Sequence, residues 1–275
     1  MTFEYICFSI TDKCNLNCPY CFRFSCKNQI INIENFKICV SKLVRLGCTI
    51  INITGGEPML NPNWREFINI CKGYGLKIVL STTGINLDLN DKYLNDLYIL
   101  TLPLDGYNNK INSMTRGDKH YEFVVDLINK YINGNYPYRL KINTVVTKYN
   151  YDSLEKIGNL INNSKIIWKW FQYREKGIHN IMSKDLIVDN IEVRKKLVEL
   201  LALKLHCWIM EEDILNDLAK PNEYLSVNCD GRLLLSDDKK DIIIGDLVSM
   251  STDVIYSKFR KIKPIAKPYK TLMGD

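Results

Sequence analysis

Apolar positions along the chain fall into two alternating periods. Runs of strand length, rich in Ile, Val and Tyr, lie near residues 4–10, 49–54, 77–82, 98–104, 139–146 and 166–172. Between them, near 33–46, 63–73, 91–97, 120–133 and 152–162, apolar residues recur three and four apart, as Phe123, Leu127, Ile128 and Tyr131 do, the stripe of an amphipathic helix. Strand-then-helix units in succession predict an α/β chain with a parallel sheet, because parallel neighbours need a crossover connection. Runs such as TIINIT and KIVLST are apolar or β-branched enough to be covered by helices. The pattern suits a doubly wound sheet and a curved, incomplete barrel equally.

After residue 172 the pattern changes. Residues 190–217 read as one or two amphipathic helices, EYLSVNCDGRLLLSD reads as a hairpin turning at Asp230 and Gly231, and IIIGDL and a basic tail follow. No Gly/Ser/Pro-rich linker interrupts the chain. The expected organisation is a core of residues 1–180 and a C-terminal extension of residues 181–275 packed on it. Segments 223–247 and 257–270 are expected to cap the barrel's bottom or its mouth.

The composition, 46% hydrophobic and 25% charged over 275 residues, is globular and excludes collagen, disorder and low complexity. The net charge of +6 sits in the tail, since residues 257–270 carry six Lys/Arg and no acid. Elsewhere the charges balance, which argues against a broad nucleic-acid surface. The first residues show no basic-then-apolar secretory pattern, and the most apolar helix-like stretch, 197–210, is broken by Glu199 and Lys204. A soluble, cytoplasmic protein with no membrane partner is the expectation.

Of the ten cysteines, Cys7, Cys39, Cys48, Cys71 and Cys207 read as reduced, buried thiols. Cys14, Cys18 and Cys21 stand apart, spaced C-x3-C-x2-C in a loop punctuated by Asn15, Asn17 and Pro19. Three thiolates within eight residues can converge on one metal centre, but structural zinc closes its tetrahedron with a fourth ligand. Cys26 lies five residues on, and His120, His179 and His206 are remote in sequence. Iron–sulfur clusters take Cys thiolates, and a four-iron cluster held by only three leaves one iron open to an exogenous ligand. The non-enzymatic alternative is a metal-storing or sensing module that adds Cys26 as fourth ligand. A second motif, Gly55-Gly56-Glu57-Pro58, ends the second predicted strand, where parallel α/β sheets and barrels bind ligands. Paired glycines let a ligand approach the backbone, and Glu57 can engage an ammonium. The same residues also suit a tight turn before a helix.

With STTG at 81–84, LPLDG at 102–106, Arg116 in TRG and KINTVV at 141–146, the sequence resembles the radical SAM superfamily over roughly residues 4–172. That resemblance implies an incomplete (βα)6 TIM-like barrel with a C-terminal α+β extension. It also implies a [4Fe-4S] cluster on Cys14, Cys18 and Cys21, with S-adenosyl-L-methionine chelated to the fourth iron. An electron from the cluster then cleaves the cofactor to methionine and a 5′-deoxyadenosyl radical, which abstracts a substrate hydrogen. By the matching motifs, Tyr20 lies against the adenine, Gly55, Gly56 and Glu57 hold the methionyl amine, and Ser81 or Thr83 approaches the ribose. Asp105 orients the sulfonium end or the ribose, and Arg116 pairs with the carboxylate. A reductase such as flavodoxin or ferredoxin is the implied electron donor.

The stretch RLKINTVVTKYN to IIWKWFQY further resembles viperin and its prokaryotic relatives, which dehydrate nucleoside triphosphates. Lys141, Asn143, Trp168, Lys169 and Gln172 match. Lys148 and Arg174 add cations along the two strands, as a triphosphate requires. Ile167 departs from that family's Arg, and Lys141 and Lys169 also suit strand residues with snorkelling stems. The rival substrate is a ribosomally made peptide. Only Cys207 and Cys229 follow the barrel, too few for auxiliary clusters, and Cys229 is either a hydrogen donor or a buried structural thiol.

Overall fold

The computed structural model describes residues 3–21, 28–173, 184–211, 214–215, 224–236 and 241–262. Cys26, Arg174, His179, the expected boundary at 180 and the tail beyond residue 262 lie outside the described residues. Strands β1 (Tyr5–Ser9), β2 (Ile50–Thr54), β3 (Lys77–Ser81), β4 (Ile99–Pro103), β5 (Arg139–Val146) and β6 (Ile166–Gln172) pair in chain order, all parallel. The crossovers include α1 (Ile33–Arg45), α2 (Trp64–Gly73), α3 (Asn109–Arg116), α4 (His120–Asn133) and α5 (Leu154–Leu160). The fold is the incomplete (βα)6 TIM-like barrel, with a C-terminal α+β extension.

Period-two alternation gives the sheet two unlike faces. Ile6, Phe8, Ile51, Ile53, Leu100, Leu102, Leu140, Ile142, Trp168 and Trp170 point outward into the main core beneath the helices. Phe36 of α1 sits 4.8 Å from the ring of Phe8 and 4.3 Å from that of Phe67 on α2. On the inner face Ile50, Val79, Ile99, Ile167 and Met210 form an apolar floor with Tyr5 and Trp208. One step up each strand the lining turns polar: Cys7 pairs in register with Asn52, Thr101 with Lys141, and Asn143 with Lys169.

Three local expectations are corrected. Residues 91–97 are not an α-helix but a 3-10 turn, Lys92–Asp96, capped by Asp91 and stopped by extended Leu97, because too few residues separate the cap from β4. The α3 helix was not expected, since NKINSMTR has only two apolar residues. Its punctuation was nonetheless visible in Asn108, whose side chain accepts from Ile111 N at 2.9 Å, and in Gly117 at φ +86°. In 190–217, helix α6 (Asn190–Ala202) ends early and the chain returns as β7 (Trp208–Ile209), parallel to β6.

The expected hairpin is present as β8 (Tyr224–Val227) and β9 (Arg232–Ser236), with Gly231 at φ +87°, and IIIGDL forms β10 (Asp241–Asp246). It extends the sheet. β8 pairs with the free edge of β1 and β9 and β10 follow, so ten strands make one sheet among the described residues. Pairing satisfies the N–H and C=O groups that β1 would otherwise leave exposed. Helix α7 (Thr252–Ile262) buries Ile255 and Phe259 behind this extension, with Phe259 4.5 Å from the ring of Phe3, just before β1. Phe259→Ala is therefore expected to cost about 3–5 kcal/mol of the stability of the whole molecule. Urea unfolding followed by circular dichroism checks this, and a separate early transition confined to the extension would contradict it.

Candidate active site

The cysteine loop follows β1 at the C-terminal end of the barrel and is stitched down before it reaches its thiols. Thr11 donates its hydroxyl to Gln29 O at 2.9 Å and accepts from Lys13 N at 3.1 Å, and Asp12 N donates to Gln29 O at 3.1 Å. Gly56 N donates to Thr11 O at 2.7 Å and Glu57 N to Lys13 O at 2.6 Å. The paired glycines serve this contact. A Cβ on Gly55 would stand 2.3 Å from Thr11 O, and one on Gly56 2.0 Å from Lys13 O. The close approach that the structure shows is backbone on backbone.

Glu57 is likewise committed inward. Its carboxylate accepts from Thr83 N at 2.6 Å, Thr82 Oγ1 at 2.7 Å and Met59 N at 3.0 Å. Burial raises its pKa and these donors pull it back. The carboxylate thus welds the second loop to the third, its oxygens accepting from Thr82, Thr83 and Met59. Thr83 Oγ1 contacts Asn15 of the cysteine loop at 3.2 Å, and Ser81 Oγ donates to Asn52 Oδ1 at 2.8 Å.

Asp105, at the end of β4, gathers the largest set of partners. Arg116 Nε donates to Oδ2 at 2.7 Å and Thr115 Oγ1 to the same oxygen at 3.0 Å. Val145 N reaches Oδ1 at 2.8 Å, and the Tyr20 hydroxyl also donates to Oδ2. Tyr20 packs with Cys18 and Tyr173, and the Arg116 guanidinium lies 5.2 Å from its ring centroid. Tyr20 and Asp105 are therefore engaged with each other. Arg116 Nη1 points at Cys18 Sγ, 3.7 Å away. Burial raises the Cys18 pKa, and the positive charge of Arg116 works against that rise.

Sequence reasoning passed over the buried amides and imidazole that brace these loops. His120 Nε2 lies 3.1 Å from Thr83 O, so that nitrogen carries the proton, and Nδ1 accepts from Asn112 Nδ2 at 3.0 Å. Asn112 Oδ1 accepts from Asp105 N at 3.0 Å, which joins the third loop to the fourth. Burial lowers the His120 pKa to about 4, with the Arg116 charge adding to the effect. Asn150 donates to Asp105 O at 2.8 Å, and Asn61 donates to Ile10 O at 2.9 Å and Ile31 O at 3.2 Å. The only sequence sign was a set of polar residues in segments otherwise apolar enough to be buried.

The expected substrate residues separate. Lys141 and Lys169 are 4% and 3% exposed and project into the polar layer of the lumen. Both lie within electrostatic reach of Cys7, whose pKa burial raises while the Asn52 hydrogen bond and the two ammonium charges lower it. Cys7, expected to be a bland core thiol, thus lines the lumen. Asn143 shares that face. Gln172 has the parity of Trp168 and Trp170, turns outward and donates to Val188 O at 2.6 Å. Lys148 stands exposed past the end of β5, apart from the buried Lys141 and Lys169. Cys229 lies in the hairpin turn, its Sγ 3.8 Å from Gln29 Oε1, behind the cysteine loop. The three loop thiols are soft donors with a cation beside one of them, and this set suits an iron–sulfur cluster.

A barrel whose C-terminal mouth is crossed by a triple-thiol loop is the architecture of a metal-dependent enzyme. Residues 8–161 match the model of the radical SAM superfamily, more than half of the chain, and the protein belongs to that superfamily. Its cofactors are the [4Fe-4S] cluster and S-adenosylmethionine that the superfamily uses. The chain is 32% identical over 183 residues to an S-adenosylmethionine-dependent nucleotide dehydratase of Flammeovirga pacifica, covering 60% of this chain and 61% of that one. A protein of the same description from Selenomonas ruminantium is 26% identical over 266 residues, covering 91% and 92%. Streptococcus suis SuiB bound to S-adenosylmethionine superposes with a TM-score of 0.73 at 15% identity, over 93% of this chain and 66% of that one, a likeness of fold. No helix among the described residues is long and apolar enough to cross a membrane.

His120 yields a pH prediction with a definite sign. Its native pKa of about 4 lies below the ordinary 6.5, so between these values the unfolded chain takes up a proton that the fold refuses. Stability from this residue is complete above pH 6.5 and falls by on the order of 3 kcal/mol as the pH drops to 4. In His120→Gln that contribution is absent, so the stability gap between the two proteins should narrow by this amount on acidification. A gap constant over the range, in chemical denaturation at stepped pH, would show that His120 protonates within the fold.

Proposed function

We propose that this radical SAM enzyme acts on a nucleoside triphosphate and removes water from it, a lyase-type outcome. The observation that carries this reading is the pair of lysines, Lys141 and Lys169, buried on the same face of adjacent strands β5 and β6, Lys169 opposite Asn143 and so diagonal to Lys141. Burying two ammonium groups is costly, and a lumen that does so is suited to a polyanion. Thr101 Oγ1 and Asn143 Oδ1, in register with Lys141 and Lys169, and Ser226 Oγ, in register with Cys7, are buried without a hydrogen-bond partner among the described residues. Neutral groups of this kind suit the hydroxyls and heteroatoms of a nucleoside. The two nucleotide dehydratases above are consistent with the same substrate class.

In this reading Cys14, Cys18 and Cys21 hold the cluster, and the main chain of Gly55 and Gly56 receives the methionyl ammonium while Glu57 braces that loop. Ser81 and Thr83 lie toward the ribose. When bound, the cluster and S-adenosylmethionine supply the one-electron chemistry that starts hydrogen abstraction, with the electron coming from a reductase of the flavodoxin or ferredoxin kind. Lys141 and Lys169 hold the phosphates, and Asn143, Thr101 and Ser226 orient the sugar and base. The apolar floor of Ile50, Val79, Ile99, Ile167 and Met210 closes the lumen below and keeps water from entering there.

Anaerobic reconstitution with dithionite and S-adenosylmethionine tests the substrate. One of the four nucleoside triphosphates should stimulate 5′-deoxyadenosine release, with deuterium passing from its ribose into that product. Lys169→Met should raise the nucleotide concentration for half-maximal stimulation about tenfold or more, since a charge-assisted hydrogen bond contributes about 1.5–3 kcal/mol. Release that no nucleotide stimulates would overturn the reading and direct the search to peptide substrates.

A further inference from the structure

We propose that Arg116 is a positioning residue for the cluster itself: it donates a hydrogen bond to the ligand sulfur of Cys18 and thereby raises the cluster's reduction potential. The guanidinium edges are divided between two jobs. Nε and Nη2 lie 2.7 and 3.5 Å from the two Asp105 oxygens, while Nη1 is the nitrogen that reaches Cys18 Sγ, at 3.7 Å. The Arg116 side chain is only 13% exposed and the Asp105 side chain 1%, so water does little to screen either. Tyr20 beneath the guanidinium completes the cradle.

The aim at sulfur is enforced rather than incidental. Asp105 cannot swing away, because Thr115 Oγ1, Val145 N and the Tyr20 hydroxyl hold its two oxygens from three different segments. Arg116 is the last residue of α3, so its backbone is fixed by the helix and by Gly117 at φ +86°. A planar fork held along one edge by a fixed carboxylate presents its remaining N–H groups in a fixed direction. Here that direction is a cysteine of the cluster loop.

The consequence follows from charge. Reduction adds an electron to a centre already surrounded by thiolates, and a buried cation donating to one of those sulfurs stabilises the more negative state. Hydrogen bonds to the sulfurs and local net charge are among the levers that set iron–sulfur potentials. A lysine at 116 keeps the charge but cannot grip the carboxylate and reach the sulfur together. Methionine keeps much of the apolar stem and loses both. The inference rests on Cys18 as a cluster ligand and is independent of the nucleotide reading.

Potentiometric titration of the reconstituted full chain, monitored by electron paramagnetic resonance without S-adenosylmethionine, tests it. Arg116→Lys and Arg116→Met should retain wild-type iron and sulfide, with midpoint potentials more negative in the order wild type, Lys, Met. Unchanged potentials with weaker S-adenosylmethionine binding by calorimetry would overturn the inference and leave Arg116 as a partner of the cofactor carboxylate. Loss of iron from both Arg116 variants would also overturn it, since a residue that only sets the potential is dispensable for assembly. A Cys18→Ala protein with full iron would remove the ligand assignment, and the inference with it.

Discussion

A carboxylate can be buried in a protein only where donors replace its lost water, and Asp105 shows how far that requirement reaches. Its two oxygens draw donors from the cysteine loop, α3 and β5, while its backbone N–H is taken by Asn112. Three segments, the cysteine loop, α3 and β5, are therefore tied to one side chain at the mouth of the barrel. The cysteine loop depends on this knot, since Tyr20 lies between Cys18 and Cys21 and is anchored through its hydroxyl. Orientation of Arg116 toward Cys18 is a by-product of the same satisfaction rule.

On the opposite side of the mouth, backbone geometry plays the part that charge plays around Asp105. Gly55 and Gly56 let the second loop sit at hydrogen-bonding distance from residues 11–13, a contact any Cβ would break. Glu57 extends the weld to the third loop, and His120 with Asn112 carries it to the fourth. His120 has to remain neutral for this, because one of its nitrogens donates and the other accepts. Burial beside the Arg116 cation keeps it so. The loops that would hold the cofactors are thus linked in a ring by polar contacts, above a sheet whose strength comes from apolar burial on its outer face.

Within the lumen the sheet is used differently at each height. At the bottom, branched aliphatic side chains fill the space, and one step up the same face carries Cys7, Asn52, Thr101, Lys141 and Lys169. An apolar floor thus lies beneath a polar layer on the same face of the sheet, with the cysteine loop at the C-terminal ends of the strands. Buried lysines in such a place cost stability, which the outer core offsets.

The parallel core of six strands, their helices and the terminal hairpin were legible in the sequence, because alternation and helical stripes record which face of each element is buried. The triple-thiol spacing and the glycine pair were legible too, since only a few residue types do that chemistry. Parity along a strand was in principle readable as well: it puts Gln172 with Trp168 and Trp170 on the face opposite Lys169. What tertiary structure alone decided is pairing between distant segments. Nothing near Glu57 in sequence indicates Thr82 and Thr83, nothing near Asp105 indicates Tyr20 or Val145, and nothing near Cys7 indicates Lys141. The hairpin's place against the edge of β1 belongs to the same class, since an open strand edge accepts any partner the chain can deliver. Local pattern determines which surfaces must be hidden, and only the fold determines what hides them.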